Sequence, residues 1–157
     1  MPAASDVVPP ELPHRWRPLG VRLAGWFFGG LFVVVCAAMW IGLGEELRGR
    51  FLLREELTML GLVVALLACL HAMMRCRVDA DAEGVTVVNG YRTHRLPWSR
   101  IVDVHLPPGA PWATLDLVDG STVSAMGIQG SDGVRSRRAV RELRALVVRA
   151  HPADPPA

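Results

Sequence analysis

The sequence predicts an α-helical membrane hairpin followed by a small α+β unit, an antiparallel sandwich or barrel of six to seven strands closed by a C-terminal helix. Three observations carry this expectation. Two apolar runs without Asp, Glu, Lys or Arg, 22 and 18 residues long, lie before residue 75. After Arg75 the hydropathic period changes from 3.6 to 2, with Asn-Gly and Asp-Gly pairs between the alternating segments. From Arg135 the helical period returns and holds to Ala150.

Composition sets the frame. At 157 residues the chain is about one domain's worth of polypeptide. Its 17 basic and 15 acidic residues leave a net charge of +2, which argues against a nucleic-acid binder. Every basic residue is arginine, a pattern expected of GC-rich coding rather than of arginine-specific chemistry. Three cysteines form no even framework, so a disulfide-stapled scaffold is not expected.

Residues 1–22 read as an N-terminal cytosolic tail. Residues 23–44 read as the first transmembrane helix: 22 residues make roughly 33 Å of helix, enough to cross a hydrocarbon core of about 30 Å. The run is too long for a signal-peptide core, and a second span follows closely. Residues 57–74 read as that second span. Between them, residues 45–56 form a short extracytoplasmic loop, so the two helices are antiparallel and both termini share one side. Arg15, Arg17, Arg22, Arg75, Arg77, Arg92 and Arg95 flank the outer ends against Arg48, Arg50 and Arg54 in the loop. The arginine excess places both termini in the cytoplasm and the protein, with two spans, in the plasma membrane.

Small residues four apart mark one face of each span: Gly25 and Gly29 on the first, Gly61 and Ala65 on the second. They are read as packing positions within the hairpin, with homodimerisation through Gly25 and Gly29 as the alternative. His71, with Cys69 and Cys76, forms a loose Cys/His set. It lacks a fourth ligand and is read as an interfacial histidine, not a metal site.

In residues 75–150, Val78, Ala80 and Ala82 alternate with Asp79, Asp81 and Glu83 as in a half-buried strand. Val85–Val88 forms the next strand. Asn89-Gly90 is a hairpin signal of the type I′ kind, in which both central residues need positive φ. Tyr91–Leu96 returns as the partner strand. Ser99–Leu106 follows with Val102, Val104 and Leu106 on one face. Trp112–Val118 and Ser121–Met126 flank Asp119-Gly120 as a second hairpin. Gly127–Gly133 is read as a connector, with Ser131 or Asp132 capping the helix that follows. That helix has Val140, Leu143, Val147 and Ala150 on its buried stripe and Arg137, Arg141 and Arg144 on a solvated one. Trp98 and Trp112 are read as core residues. Residues 151–157, rich in proline, are expected to be disordered.

The order of two spans, then Asp81-Ala82-Glu83-Gly84-Val85-Thr86-Val87-Val88-Asn89-Gly90, then Leu96-Pro97-Trp98-Ser99-Arg100-Ile101, resembles the bacterial PH-like domain family of actinobacterial membrane proteins. It is similar in particular to the low-molecular-weight protein antigen type of mycobacteria. The resemblance covers roughly residues 75 to 128. It implies two antiparallel sheets of seven strands in all, closed by a C-terminal helix. Six strands are readable, and the seventh is expected near Met126–Gln129.

No catalytic, metal or cofactor constellation emerges. His94, His105, Ser121 and Ser124 lie on strands with no spacing that links them as nucleophile and base. An enzyme is not expected. Arg92, Arg95 and Arg100, near Tyr91 and Trp98, are the candidate contacts for a lipid or a partner. The sequence is best read as a non-enzymatic membrane-anchored protein whose PH-like domain recruits or scaffolds a protein partner. Sensing of anionic lipid headgroups is the alternative.

Overall fold

A computed structural model describes residues 8–151. The described residues form two compact units, one of residues 20–74 and the other of residues 8–19 with 75–151. Residues 152–157, most of the tail expected to be disordered, lie outside the described residues.

The first unit is a helical hairpin. Helix α1 spans Leu19–Gly42 and α3 spans Leu53–Arg75, with a short α2, Gly44–Arg48, in the connection. Both long helices are apolar and long enough to cross a membrane. Each begins four residues before the uncharged run, because the first helical turns also take in Arg22 and Arg54, Glu55 and Glu56.

The second unit holds seven strands. These are β1 (His14–Trp16), β2 (Arg77–Ala80), β3 (Gly84–Asn89), β4 (Arg92–Pro97), β5 (Ile101–His105), β6 (Trp112–Leu117) and β7 (Thr122–Gln129), followed by α4 (Val134–Ala150). They make two antiparallel sheets, β1-β2-β3-β4 and β5-β6-β7. The seventh strand is therefore not a separate element near Met126–Gln129, which is the end of β7. It is β1, from the segment read as a tail. Trp16 pairs with Val78 and His14 with Ala80.

Alternation dictates the core. Val78, Ala80, Val85, Val87 and Leu96 from one sheet face Ile101, Val104, Ala113, Leu115 and Ala125 from the other. Helix α4 covers the open side with Ala139, Val140, Leu143, Leu146 and Val147, while Ala150 is exposed. Strand β5 departs from the expected pattern: Val102 is 58% exposed and Ile101 is buried. A bulge between Ile101 and Asp103 inserts one residue and reverses the facing of Val102. Trp112 is only half-buried and Trp98 packs at the margin of the core. The buried tryptophan is Trp16.

Two turns also differ from expectation. In the β3–β4 hairpin Asn89 pairs with Arg92, so the central residues are Gly90 and Tyr91, and only Gly90 has positive φ (62°). This is the II′ pattern, not I′. Asn89 is instead used through its side chain, whose Nδ2 donates to Ser124 O (2.6 Å) and whose Oδ1 accepts Met126 N–H (3.1 Å). It thereby stitches the first sheet to β7. At α4 neither Ser131 nor Asp132 caps the helix. The N-cap is Gly133, and Ser136 Oγ donates back to its carbonyl (2.9 Å).

Candidate functional site

Arg92, Arg95 and Arg100 do not form one patch. Arg92 and Arg95, three residues apart on β4, point to opposite faces of the strand. Arg100 Nη2 donates to Asp119 Oδ2 (2.7 Å). Ser121 donates to the same Asp119 through its hydroxyl and its N–H, which with Arg100 holds the Asp119 carboxyl below its ordinary range. Arg100 thus secures the β6–β7 turn.

The feature of sheet β1–β4 open to partners is its β4 edge, which has a neighbour on one side only. The Trp98 N–H donates to Glu83 O (3.4 Å) and sets the ladder's phase. Alternation then turns the main-chain groups of Thr93 and Arg95 away from β3, toward solvent. Side chains of α4 reach two of the other edges, those of β1 and β5. Trp16 Nε1 of β1 donates to Glu142 Oε2 (3.0 Å). Arg144 Nη2 donates to the β5 edge at Val104 O (2.7 Å), and its Nε pairs with Asp103 Oδ1 (2.9 Å). Arg144 is therefore not on a solvated stripe, whereas Arg137 and Arg141 are exposed as expected.

Glu142 sits between two donors. Burial alone would raise its carboxyl, but the Trp16 indole, Arg138 (2.7 Å) and His14 outweigh burial and hold it below the ordinary 4.5. A carboxylate depressed in the folded state stabilises the fold above the unfolded value and loses that contribution as pH falls through the folded one. Stability of the β unit should accordingly fall as pH drops below 4.5. Glu142→Gln, measured by denaturant titration at several pH values, should flatten that fall.

Beneath the sequence's notice lies a second cluster. The register of β5 and β6 sets Asp103 opposite Asp116, and His105 Nδ1 lies 3.2 Å from Asp116 Oδ2. The three could each offer a metal one atom, all within 4.8 Å of one another. The fixed charge of Arg144, 2.9 Å from Asp103, opposes a divalent cation there, and Asp103 is held in that ion pair instead. Only the alternation of Asp103 and His105 hinted at it, because Asp116 joins through cross-strand pairing.

In the helical unit, Gly25 and Gly29 face the second helix. A Cβ on Gly25 would meet Met74 Sδ at 2.6 Å, and one on Gly29 would lie 3.5 Å from Leu70 Cδ1. Gly61 and Ala65 do not take the packing role expected of them: Gly61 has open space around it and Ala65 is exposed. Small residues of α1 receive large ones of α3, so no small–small seam is needed. Of the Cys/His set, Cys69 and His71 are exposed. Cys76 is buried, its sulfur accepting the Gly90 N–H (3.3 Å).

Comparison with known proteins agrees with this architecture. Residues 75–146 match the bacterial PH domain family. Uncharacterized proteins of Mycobacterium tuberculosis and Mycobacterium bovis are each 30% identical over 142 residues, covering 89% of this chain and 88% of theirs. No solved structure matches it. The alignment with the relatives takes in more than the matched domain, so the apolar hairpin falls within it. With two apolar helices joined to seven strands and a closing helix, the chain belongs to the bacterial PH domain family.

Proposed function

We propose that this is a non-enzymatic, membrane-anchored PH-like module that recruits a protein partner at the inner face of the plasma membrane. Its helical hairpin crosses the bilayer and leaves both termini in the cytoplasm, as the arginine excess at the outer ends favours. The observation that carries the reading is the open edge of β4. Natural sheets cover or blunt such edges, and here side chains of α4 reach β1 and β5 while β4 is left with the outward main-chain groups of Thr93 and Arg95. An extended segment of a partner adds to that edge by main-chain pairing, and the Arg95 guanidinium beside it favours an acidic segment. The hairpin concentrates whatever the edge holds at the membrane. PH-like domains are generally non-enzymatic, in keeping with this reading.

Lipid sensing through Arg92, Arg95 and Arg100 as a trio is less favoured, since Arg100 is engaged by Asp119 and the other two diverge. A photo-crosslinker at Ser99, next to the edge, should capture a recurring protein in native membranes. Thr93→Pro, which removes an outward N–H, should cut that capture by roughly tenfold, as expected when about 1.4 kcal/mol of main-chain pairing is lost. Capture insensitive to Thr93→Pro would overturn edge pairing.

A further inference from the structure

The connection between β5 and β6, residues 106–111, is built from a turn and a tie. Pro107 O accepts the Ala110 N–H (3.0 Å), with Pro108 and the positive φ of Gly109 (83°) at the central positions of a type II turn. Its far end is joined to the segment that leads into α4. Pro111 O accepts the Gly130 N–H (2.9 Å), and Gly130 lies so close to Ala110 O that a Cβ has no room there. Held in this way, the loop stands beside the start of α4 and leaves two adjoining clefts of about 520 and 430 Å³, which share Leu106 and Arg137. Both are open troughs, suited to a length of chain rather than to an enclosed small molecule.

The groove joins two kinds of surface. Val134, on the first turn of α4, is 73% exposed. Single exposed apolar side chains are common, but this one continues an apolar surface of Leu106, Val140 and the loop prolines. The charged part is arginine alone, for no carboxylate lines either cleft among the described residues. Arg138 and Arg144 of the same helix are engaged by Glu142 and Asp103, whereas Arg137 and Arg141 make no ion pair among the described residues. These two stand one turn apart on the stripe that Val134 begins, with roughly 6 Å of helix between them.

We propose that this groove binds an extended acidic segment of a protein partner. An apolar side chain of the segment seats against Leu106 and Val134, and two carboxylates beyond it pair with Arg137 and Arg141. Alternate side chains of an extended chain share a face and fall roughly 6.6 Å apart. An apolar residue followed by Asp or Glu at the second and fourth positions therefore matches the order Val134, Arg137, Arg141 along α4. The loop is already shaped by its turn and by Gly130, so little ordering opposes the contact. The groove shares no residue with the β4 edge and does not depend on it.

The test selects random peptides displayed on phage against the full chain in phosphatidylcholine nanodiscs. Enriched peptides should carry Asp or Glu at two-residue spacing beside an apolar residue, and should slow amide exchange at Gly109, Ala110 and Val134. Arg137→Gln with Arg141→Gln should weaken their binding about tenfold, the loss of two exposed ion pairs. Val134→Ser should weaken it about threefold through lost apolar contact. In all these variants the β6 amides should stay protected, and Thr93→Pro should leave peptide binding unchanged. No enrichment, enrichment without acidic residues, or binding indifferent to the arginine variant would overturn the groove and leave the β4 edge standing. Binding lost with Thr93→Pro, the β6 amides still protected, would also overturn it, by placing the peptides on that edge. Slowing of the same amides by phosphatidylglycerol in the discs, in place of peptide, would overturn it in favour of a lipid surface.

Discussion

Replacing Trp16 by alanine is expected to destabilise the β unit by about 3–5 kcal/mol, the cost of emptying a buried tryptophan site. The residue lies outside the segment that matches the domain family, in a three-residue strand 61 positions from its partner strand. Three losses coincide. The indole leaves the cluster it shares with Val78 and Ala80 and with α4; β1 loses the anchor that holds it to β2; and Glu142 keeps Arg138 but loses a buried donor. Trp16→Phe separates these, restoring apolar contact without the indole N–H. It should cost about 1.5–3 kcal/mol, the range for a hydrogen bond to a charged group. Trp112→Ala is the contrast: Trp112 stands outside the core cluster and should cost well under Trp16→Ala. Denaturant titration of the full chain in mild detergent, followed through the β6 amides, orders the three variants. A cost at Trp112 equal to that at Trp16 would contradict the fold's account of its core. A fragment beginning at Arg75 lacks β1 and should be less stable for the same reason.

That contrast marks where the sequence is legible. Both spans are readable because freedom from charge over 18 or more residues is a one-dimensional property, and no tertiary partner is needed to see it. The strands from β2 onward are readable because each alternates over several residues between turn signals. Strand β1 is His-Arg-Trp, too short for a period to register, and its meaning appears only opposite Val78 and Ala80. Strict alternation turns Val102 inward because it cannot anticipate a bulge. Asn-Gly favours a turn and so points Asn89 to one; its use as a bridge to β7 depends on a strand 35 residues away. Arg144 has the helical phase of a solvated residue, yet its long side chain reaches Asp103 and Val104. The candidate site divides in the same way. Its arginines are visible as a list, but which of them stand together follows from strand direction and register.

Gly127→Ala is the second change expected to have a large effect, about 1–3 kcal/mol or more, although it adds one methyl group. Strand β7 leaves β6 after Ala125 and crosses β2 before Gln129 pairs with Trp112. At the crossing a Cβ on Gly127 would lie 2.5 Å from Arg77 C, 2.6 Å from Arg77 Cα and 2.8 Å from Val78 N. All three are backbone atoms, so no rotamer can yield. Strand β2 must shift, and it is held on one side by β1 and on the other by β3. The same crossing is stitched by Asn89 to Ser124 O and Met126 N, and Asn89→Ala would leave two inward-facing groups unpaired at about 1–3 kcal/mol. Because both substitutions open one junction, their costs should fall short of adding: once Asn89 has released β7, the strand can retreat from the new methyl. Gly30→Ala, which meets nothing within 4 Å, should leave the β unit unchanged. A double-mutant cycle of Asn89→Ala and Gly127→Ala measures the coupling, and full additivity would mean that the crossing and the stitch are independent, contrary to the stitch points lying one and three residues from Gly127 on β7.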